Sequence, residues 1–410
     1  MKNIVYLLCY IFTYSIGQTR SVDQILFTDP EKVGILRSSL DSIRKETRKY
    51  VDSGEIPGIQ TIIMRKGKIV YFDTYGYADI KSKKPLNHNS IFRIYSMTKP
   101  IVAVGLMMLY DKGLFDLYDP VERFIPGFKN LFIYDSLANK QIKKKILIID
   151  LLRHTSGIGY GWGTNNSINQ QYQKLWKTKN NKEFIDSLLT IPLYSNPGEE
   201  WRYGFSSDVC GYLIEVLSGL SLAVYLQNNI FDPLNMIDTH FELPMSKENR
   251  FISNYAYKKQ IFRKKLLLID SHKNSKYLNV DRYSGGSGLV STSYDFLIFC
   301  KMLINKGRFN HNQLLKESTI DMMTINQIPH LVYPWGAGLK FGLGFSVVNN
   351  EDVTDFKSNN GTFGWNGVAG TSFSIDPEHE LVTIIMTQRM YPWPNLFREF
   401  NDLVYASIIK

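Results

Sequence analysis

Apolar residues recur along this chain with two different periods. In KVGILRSSLDSIRKETRKYVDSG, Val33, Leu36, Leu40 and Ile43 fall at helical spacing, which predicts one helix over residues 29–54 with Gly54 as its stop. IPGIQTIIMRKGKIVYFDTYGYAD then holds two β-rich runs around Arg65-Lys66-Gly67-Lys68, a hairpin signal. From roughly 100 to 300 the period is mostly helical. LIIDLLRHTSG predicts a short helix closing on a turn. DVCGYLIEVLSGLSLAVYLQNNIFDPL predicts two helices, the first ending near Gly219, and STSYDFLIFCKMLINKG predicts one with a Ser/Thr start and a Gly stop. Strands return in LKFGLGFSVVN, GTFGWNGVAGTSFSIDP and ELVTIIMTQ. A last helix starts near Trp393-Pro394 and runs through FREFNDLVYASII.

Strands therefore lie toward both ends, with helices between them. The expected class is α+β: an antiparallel sheet built from non-contiguous N- and C-terminal segments, flanked by the terminal helices, with a large, mostly helical insertion. The expected folded unit covers residues 25–405. Residues 29–92 and 285–405 form its α+β part, and 93–284 its mainly helical part. There is no internal repeat and no long linker.

Composition narrows the function classes. With 410 residues, 44% of them hydrophobic, the chain can bury a large core, and roughly two domains of about 150 residues are expected. The net charge of +10 gathers in Lys143-Lys144-Lys145, Lys258-Lys259 and Arg263-Lys264-Lys265, each beside an apolar run. Such clusters read as solvated loops. A nucleic-acid face would interleave aromatics and Gly-rich loops with the charge, so no nucleic-acid partner is expected, and no obligatory protein partner is evident. Cys9, Cys210 and Cys300 make no disulfide framework. Cys210 and Cys300 sit in apolar helical patterns, as buried thiols do. No Cys/His spacing suits zinc, and no metal is expected. Residues 1–20 carry Lys2 and an apolar run from Ile4 to about Gly17, the length of a signal-peptide core, with a short uncleaved anchor as the alternative. The expected destination is the extracellular space or an endomembrane or periplasmic lumen. Asn165 and Asn360 open glycosylation sequons.

The candidate chemistry lies in RIYSMTKPIVAVGLMMLYDKG, residues 93–113. Ser96 and Lys99, three positions apart, share one helix face. A serine hydroxyl needs an adjacent base to attack a carbonyl, and a lysine serves once burial lowers its pKa from about 10.4. Ile91, Phe92, Ile94, Met97, Ile101 and Val102 supply apolar surroundings, and Pro100 confines Ser96 to the helix start. N–H groups and the helix dipole there favour a developing oxyanion. The tetrapeptide alone equally fits a capping serine and a solvated lysine. His154, in LLRHTSG, has no G-x-S-x-G elbow to pair with and reads as structural, holding the HTSG turn by side-chain hydrogen bonds. The Gly-rich residues 157–163 read as a flexible loop near the cleft, with Trp162 lining an acyl pocket or capping the helical part. Asp208 reads as a helix cap.

Two further stretches, PGEEWRYGFSSDVCGYLIEVLSG (197–219) and GTFGWNGVAGTSFSIDP (361–377), complete an ordered set. With them, roughly residues 30–405 resemble the serine β-lactamase and penicillin-recognising family. The likeness is strongest to its class C β-lactamase-like branch, which includes the family VIII carboxylesterases. LLRHTSG, SGGSGLVSTSYDFLIFCKMLINKG and LYDPVERFIPGF also resemble family segments. The resemblance implies that Ser96 is the acylated nucleophile and Lys99 its base partner. Tyr203 would share proton transfer with the lysine, as a phenolate favoured by a nearby ammonium, the two titrating as a pair. The third motif falls on Trp365-Asn366-Gly367. The N–H groups of Ser96 and Val368 would hold the oxyanion, and Gly367 would let backbone approach the substrate. Trp365, Asn366, Gly367, Phe205 and Trp162 would form the substrate site.

Two departures change what the resemblance implies. Phe205 stands where lactamase-type members carry Asn. The third motif lacks a Lys to pair with a substrate carboxylate and has Asn366 where Gly is usual. Both argue against efficient antibiotic hydrolysis. They fit a serine hydrolase that acts through an acyl-enzyme on a carboxylic ester or related small acyl substrate, without a cofactor, in a cleft between the two parts. The alternatives are a D-amino-acid-type peptidase or weak β-lactamase, and a catalytically silent ligand-binding homologue, which Asn366 and a glycan at Asn360 would favour.

Overall fold

The computed structural model describes residues 26–134, 140–164, 166–259, 264–355, 357–391 and 393–409. The leader with Cys9, the sequon residue Asn165 and Arg263 lie outside them. The N-terminal segment supplies β1 (Gly58–Arg65), β2 (Lys68–Asp79) and β3 (Lys84–Pro85). The C-terminal segment supplies β4 (Leu339–Phe341), β5 (Ser346–Val348), β6 (Phe363–Gly367), β7 (Thr371–Asp376) and β8 (Leu381–Met386). They form one antiparallel sheet in the order β4-β5-β6-β7-β8-β1-β2-β3. The two ends of the chain thus meet in mid-sheet, with β1 and β8 paired from Gln60↔Met386 to Arg65↔Leu381. The expected hairpin closes through Lys66 and Gly67 at φ +48° and +67°. Two successive left-handed residues make the tight turn whose twist matches that of the flanking strands.

The longest helices are α1 (Arg37–Asp52), α2 (Thr98–Asp111), α3 (Ser206–Ser218), α4 (Ser293–Ile304) and α5 (Leu396–Ala406). Strands β1 and β8 are buried along their whole length because both faces of the sheet are covered. Ile59, Ile63, Leu381 and Ile385 pack with Leu40 and Ile43 of α1 and Phe400 and Val404 of α5. On the other face Ile62, Met64, Val382, Ile384 and Met386 join the larger core that takes in the buried apolar residues of α2, α3 and α4.

Two local expectations change. The helix expected over 29–54 is broken: Asp29 caps a single turn at Pro30–Val33, Gly34 leaves it at φ +78°, and α1 starts only at Arg37. A residue in the left-handed region ends a helix, and Pro30 starts a new turn without an N–H to give. The second change is a β-ribbon inside the middle part, Asn254–Lys259 paired with Lys264–Asp270. The basic clusters expected in loops there belong to strands. Cys210 and Cys300 are buried free thiols, pushed up in pKa by burial. Among the described residues no single helix is long and apolar enough to cross a membrane.

Candidate active site

Ser96 sits where three elements converge. Phe92–Arg93 pairs with Val290–Ser291, and the N–H of Ile94 donates to the Leu289 carbonyl at 3.2 Å. Tyr95 then takes φ +43°, which costs a non-glycine residue about 1 kcal/mol or more and persists only where neighbours enforce it. Here Asn254 donates to the Tyr95 hydroxyl at 2.9 Å, and the Tyr277 ring meets Tyr95 edge-on. The sharp turn Tyr95–Met97 runs directly into α2 and places Ser96 partly exposed at its start. Strand β6 abuts this turn from the side. A side chain at Gly367 would stand 2.4 Å from the Ile94 carbonyl oxygen and 2.2 Å from Thr371 Oγ1. Glycine at that position brings the sheet and the serine turn into contact.

Lys99 is 1% exposed. Its amine donates to the Gly286 carbonyl at 2.7 Å and to Ser96 Oγ at 3.2 Å. Neither partner carries a charge, so burial dominates and lowers the pKa to about 7, with Asp208 pulling weakly the other way. An amine at hydrogen-bond distance from the hydroxyl, and able to shed its proton near neutrality, meets the geometric and acid–base demands on a general base.

Tyr203 is partly buried, with the Lys99 nitrogen 4.5 Å from its ring centroid. Burial pushes its hydroxyl well above the ordinary phenol range, although Ser96 pulls it partway back. Burial thus opposes the ammonium-stabilised phenolate expected from the sequence and favours a neutral phenol beside a deprotonatable amine. Both shifts have one cause, since a dry site penalises whichever form is charged.

Aromatic rings wall the space around Tyr203. Trp335 lies edge-on to it at 4.6 Å and stacks on Trp365 at 5.6 Å, while Trp162 lies 5.8 Å from Tyr203 and 4.9 Å from Tyr160. A cavity of about 240 Å³ opens between Tyr160, Trp162, Trp201, Arg202, Tyr203 and Trp335. Trp162 and Trp335 are half-exposed at its mouth. The Gly-rich stretch beneath, expected as a flexible loop, is tied to its neighbours by hydrogen bonds. Gln173 Nε2 donates to the Gly161 carbonyl at 2.9 Å, Asn169 Nδ2 to the Trp162 carbonyl at 3.2 Å, and the Tyr194 N–H to Gly157 at 2.9 Å.

Ser96, Lys99, Tyr203, Trp365 and Trp162 are thus brought together. Val368 opens the turn after β6, with its carbonyl held at 3.0 Å by both the Tyr391 N–H and the Trp393 indole. Asn366 is bonded through its side chain to Ser372 Oγ at 2.7 Å, on the pleat opposite Trp365. Phe205 is 0% exposed, packed on Tyr160, Trp176 and Phe184, so it backs the aromatic wall and does not line the cavity. His154 does not hold its turn by side-chain hydrogen bonds. Both ring nitrogens are buried without a partner among the described residues, the ring packs 5.0 Å from Tyr203, and burial drives its pKa well down. Asp150 holds that turn, accepting from Thr155 Oγ1 at 2.7 Å and Arg153 at 2.8 Å. Asp208 does not cap α3. Its Oδ1 accepts from Arg282 at 2.8 Å and Ser284 Oγ at 2.6 Å.

Sequence reasoning passed over Gly286, whose carbonyl orients Lys99, and the wall residues Tyr160, Trp201 and Trp335. The Gly-Gly pair in SGGSG and the aromatic in PWGAG were visible, but nothing local announced that they converge on α2. Among the described residues no group of His, Cys, Asp and Glu is arranged to hold a metal ion.

Comparison with known proteins places this geometry. A Beta-lactamase family model matches residues 43–406. The chain is 27% identical over 403 residues to Monacolin J acid methylbutanoyltransferase of Aspergillus terreus, covering 88% of this chain and 94% of that protein. It is 27% identical over 369 residues to Esterase EstB of Burkholderia gladioli, covering 85% and 91%. The solved structure of EstCE1, a hydrolase with promiscuous acyltransferase activity, shares the fold at a TM-score of 0.78 and 23% identity, over 90% of this chain and 99% of that one. Since the family match runs through nearly the whole described chain, the protein belongs to the Beta-lactamase family of serine penicillin-recognising enzymes.

Proposed function

We propose that the protein hydrolyses carboxylic esters with small or apolar acyl groups through an acyl-enzyme on Ser96. The observation that carries this is the Lys99 amine, buried, 3.2 Å from Ser96 Oγ and with its pKa lowered to about 7. Ser96 Oγ attacks the ester carbonyl as its proton passes to the Lys99 amine. The new O–C bond leaves a tetrahedral oxyanion facing the N–H groups of Ser96 and Val368. Collapse breaks the bond to the leaving alkoxide. The Tyr203 hydroxyl protonates that alkoxide and recovers its own proton from the Lys99 ammonium. Water then releases the acid by the same relay in reverse. The aromatic cavity beside Tyr203 suits an apolar group, and the cationic side chain on its wall, Arg202, is paired with Glu200. The relatives named as an esterase and an acyltransferase support acyl-transfer chemistry of this kind.

The test is turnover of p-nitrophenyl butyrate by the purified chain and by Ser96→Ala. Turnover that drops by about three orders of magnitude or more in the variant supports the reading. Equal rates in both proteins, or fast hydrolysis of a chromogenic cephalosporin by the wild type, overturn it.

A further inference from the structure

Asp208 lies in the first turn of α3, 1% exposed, and faces away from solvent toward the loop 282–288. Its Oδ1 binds Arg282 and Ser284 in that loop. Its Oδ2 is buried with no hydrogen-bond partner among the described residues. A side chain at Gly286 would stand 2.4 Å from that oxygen and 3.0 Å from the Tyr160 hydroxyl. The carboxylate is therefore pressed against the one residue whose carbonyl grips the Lys99 amine.

We propose that Asp208 is a positioning residue for Lys99: it clamps the 282–288 loop so that the Gly286 carbonyl meets the amine, and its charge, partly balanced by Arg282, sets the field there. The titratable groups around the pair are few. Tyr160, Tyr203 and His154 face Lys99, at 5.4 and 4.5 Å from the ring centroids of the two tyrosines. Arg282 faces Asp208, and Cys210 follows it on α3. Burial holds the two phenols and the thiol protonated and His154 neutral. Asp208 and Arg282 are left as the charges able to bias the amine. Without the carboxylate, the ammonium form loses its nearest anion. Without the Gly286 carbonyl in place, it loses its best acceptor. Either loss makes the ammonium less stable.

The inference rests on the proposed function only where activity is measured, so the first readout is independent of turnover. Whole chain is labelled with 15N-lysine, the Lys99 amine signal is assigned by its loss in Lys99→Arg, and its titration midpoint is measured. Asp208→Asn keeps the shape and the hydrogen-bond acceptor while removing the charge. It should lower the midpoint by about one pH unit. Gly286→Ala should lower it as well, by displacing the carbonyl. Asp295→Asn, an equally buried carboxylate on α4, should leave it unchanged. The acid limb of kcat/KM should follow the same shifts. A folded Asp208→Asn or Gly286→Ala with the wild-type midpoint overturns the proposal, as does an equal shift in Asp295→Asn. If the midpoints shift as stated while the wild type hydrolyses no ester, the proposed function fails and the positioning role of Asp208 stands.

Discussion

Two buried basic side chains, six positions apart, are treated by the fold in opposite ways. Arg93 is 0% exposed and fully partnered. Its Nε donates to Asp270 at 2.6 Å, other donors reach the Ile252 and Ser271 carbonyls and Gln388, and its guanidinium lies 4.0 Å from the Phe251 ring centroid. Lys99, equally buried, meets a carbonyl and a hydroxyl and no carboxylate. A guanidinium keeps its proton in any protein environment and repays burial only when saturated with acceptors; an amine can shed its charge. The first arrangement makes a strut between the ribbon and the sheet, the second, under the proposed mechanism, a reagent. The contrast shows that what surrounds a cation, more than its depth, separates structural from chemical use.

The sharpest way to break the comparison is to remove each cation in turn. Lys99→Met should lower kcat/KM for an ester by about 10³-fold, the loss of a general base, yet stabilise the fold. The Lys99 pKa is lower folded than unfolded, so the folded state releases a proton that the unfolded chain keeps, and the amine's penalty is largest below pH 7. Thermal unfolding should show Lys99→Met more stable by on the order of a few kcal/mol at pH 6, with the advantage fading as pH rises from about 7 toward 10.5. Arg93→Met should do the reverse. It leaves Asp270 uncompensated and costs about 3 kcal/mol of stability in denaturant unfolding at any pH between 5 and 9. Equal effects in the two variants would erase the distinction.

Tyr203→Phe sharpens the chemical side. Loss of the proton donor should cost about 10²-fold in kcat with an alkyl ester, whose alkoxide needs the proton, and far less with a p-nitrophenyl ester, which leaves as a stable anion. In the wild type, kcat/KM should rise about tenfold per pH unit below 7 and level off above it, as the Lys99 amine loses its proton. Trp335→Ala removes a wall of the cavity and should raise KM about tenfold for an aromatic acyl ester at unchanged kcat. The smallest effect belongs to Asn366→Gly, below about twofold, because that side chain is engaged with Ser372.

Much of this was legible in the residues. The two-ended sheet followed from where the period-two runs lie, and the Lys66-Gly67 hairpin from its turn residues. Ser96, Lys99 and Tyr203 followed from motif order. The rest depended on contacts distant in sequence. Which of Lys99 and Tyr203 serves as base under the proposed mechanism could not be told from spacing, because it turns on how dry the site is, and that depends on burial by residues distant in sequence. Asp208 looked like a cap because it opens a helix, while its true partners, Arg282 and Ser284, are 74 and 76 positions away. The 254–270 ribbon was missed because short strands rich in lysine resemble solvated loop.

The close approach at Gly367 also bears on when this molecule can become reactive. The serine turn rests on a strand made long after it in synthesis. The contact between Ile94 and Thr371 spans 277 positions, a delay on the order of tens of seconds at ordinary ribosomal rates. A nascent or truncated chain carries the nucleophile and its amine without the strand that braces them. Under the proposed mechanism, competence therefore waits until β6 and β7 have been made and have reached the serine turn.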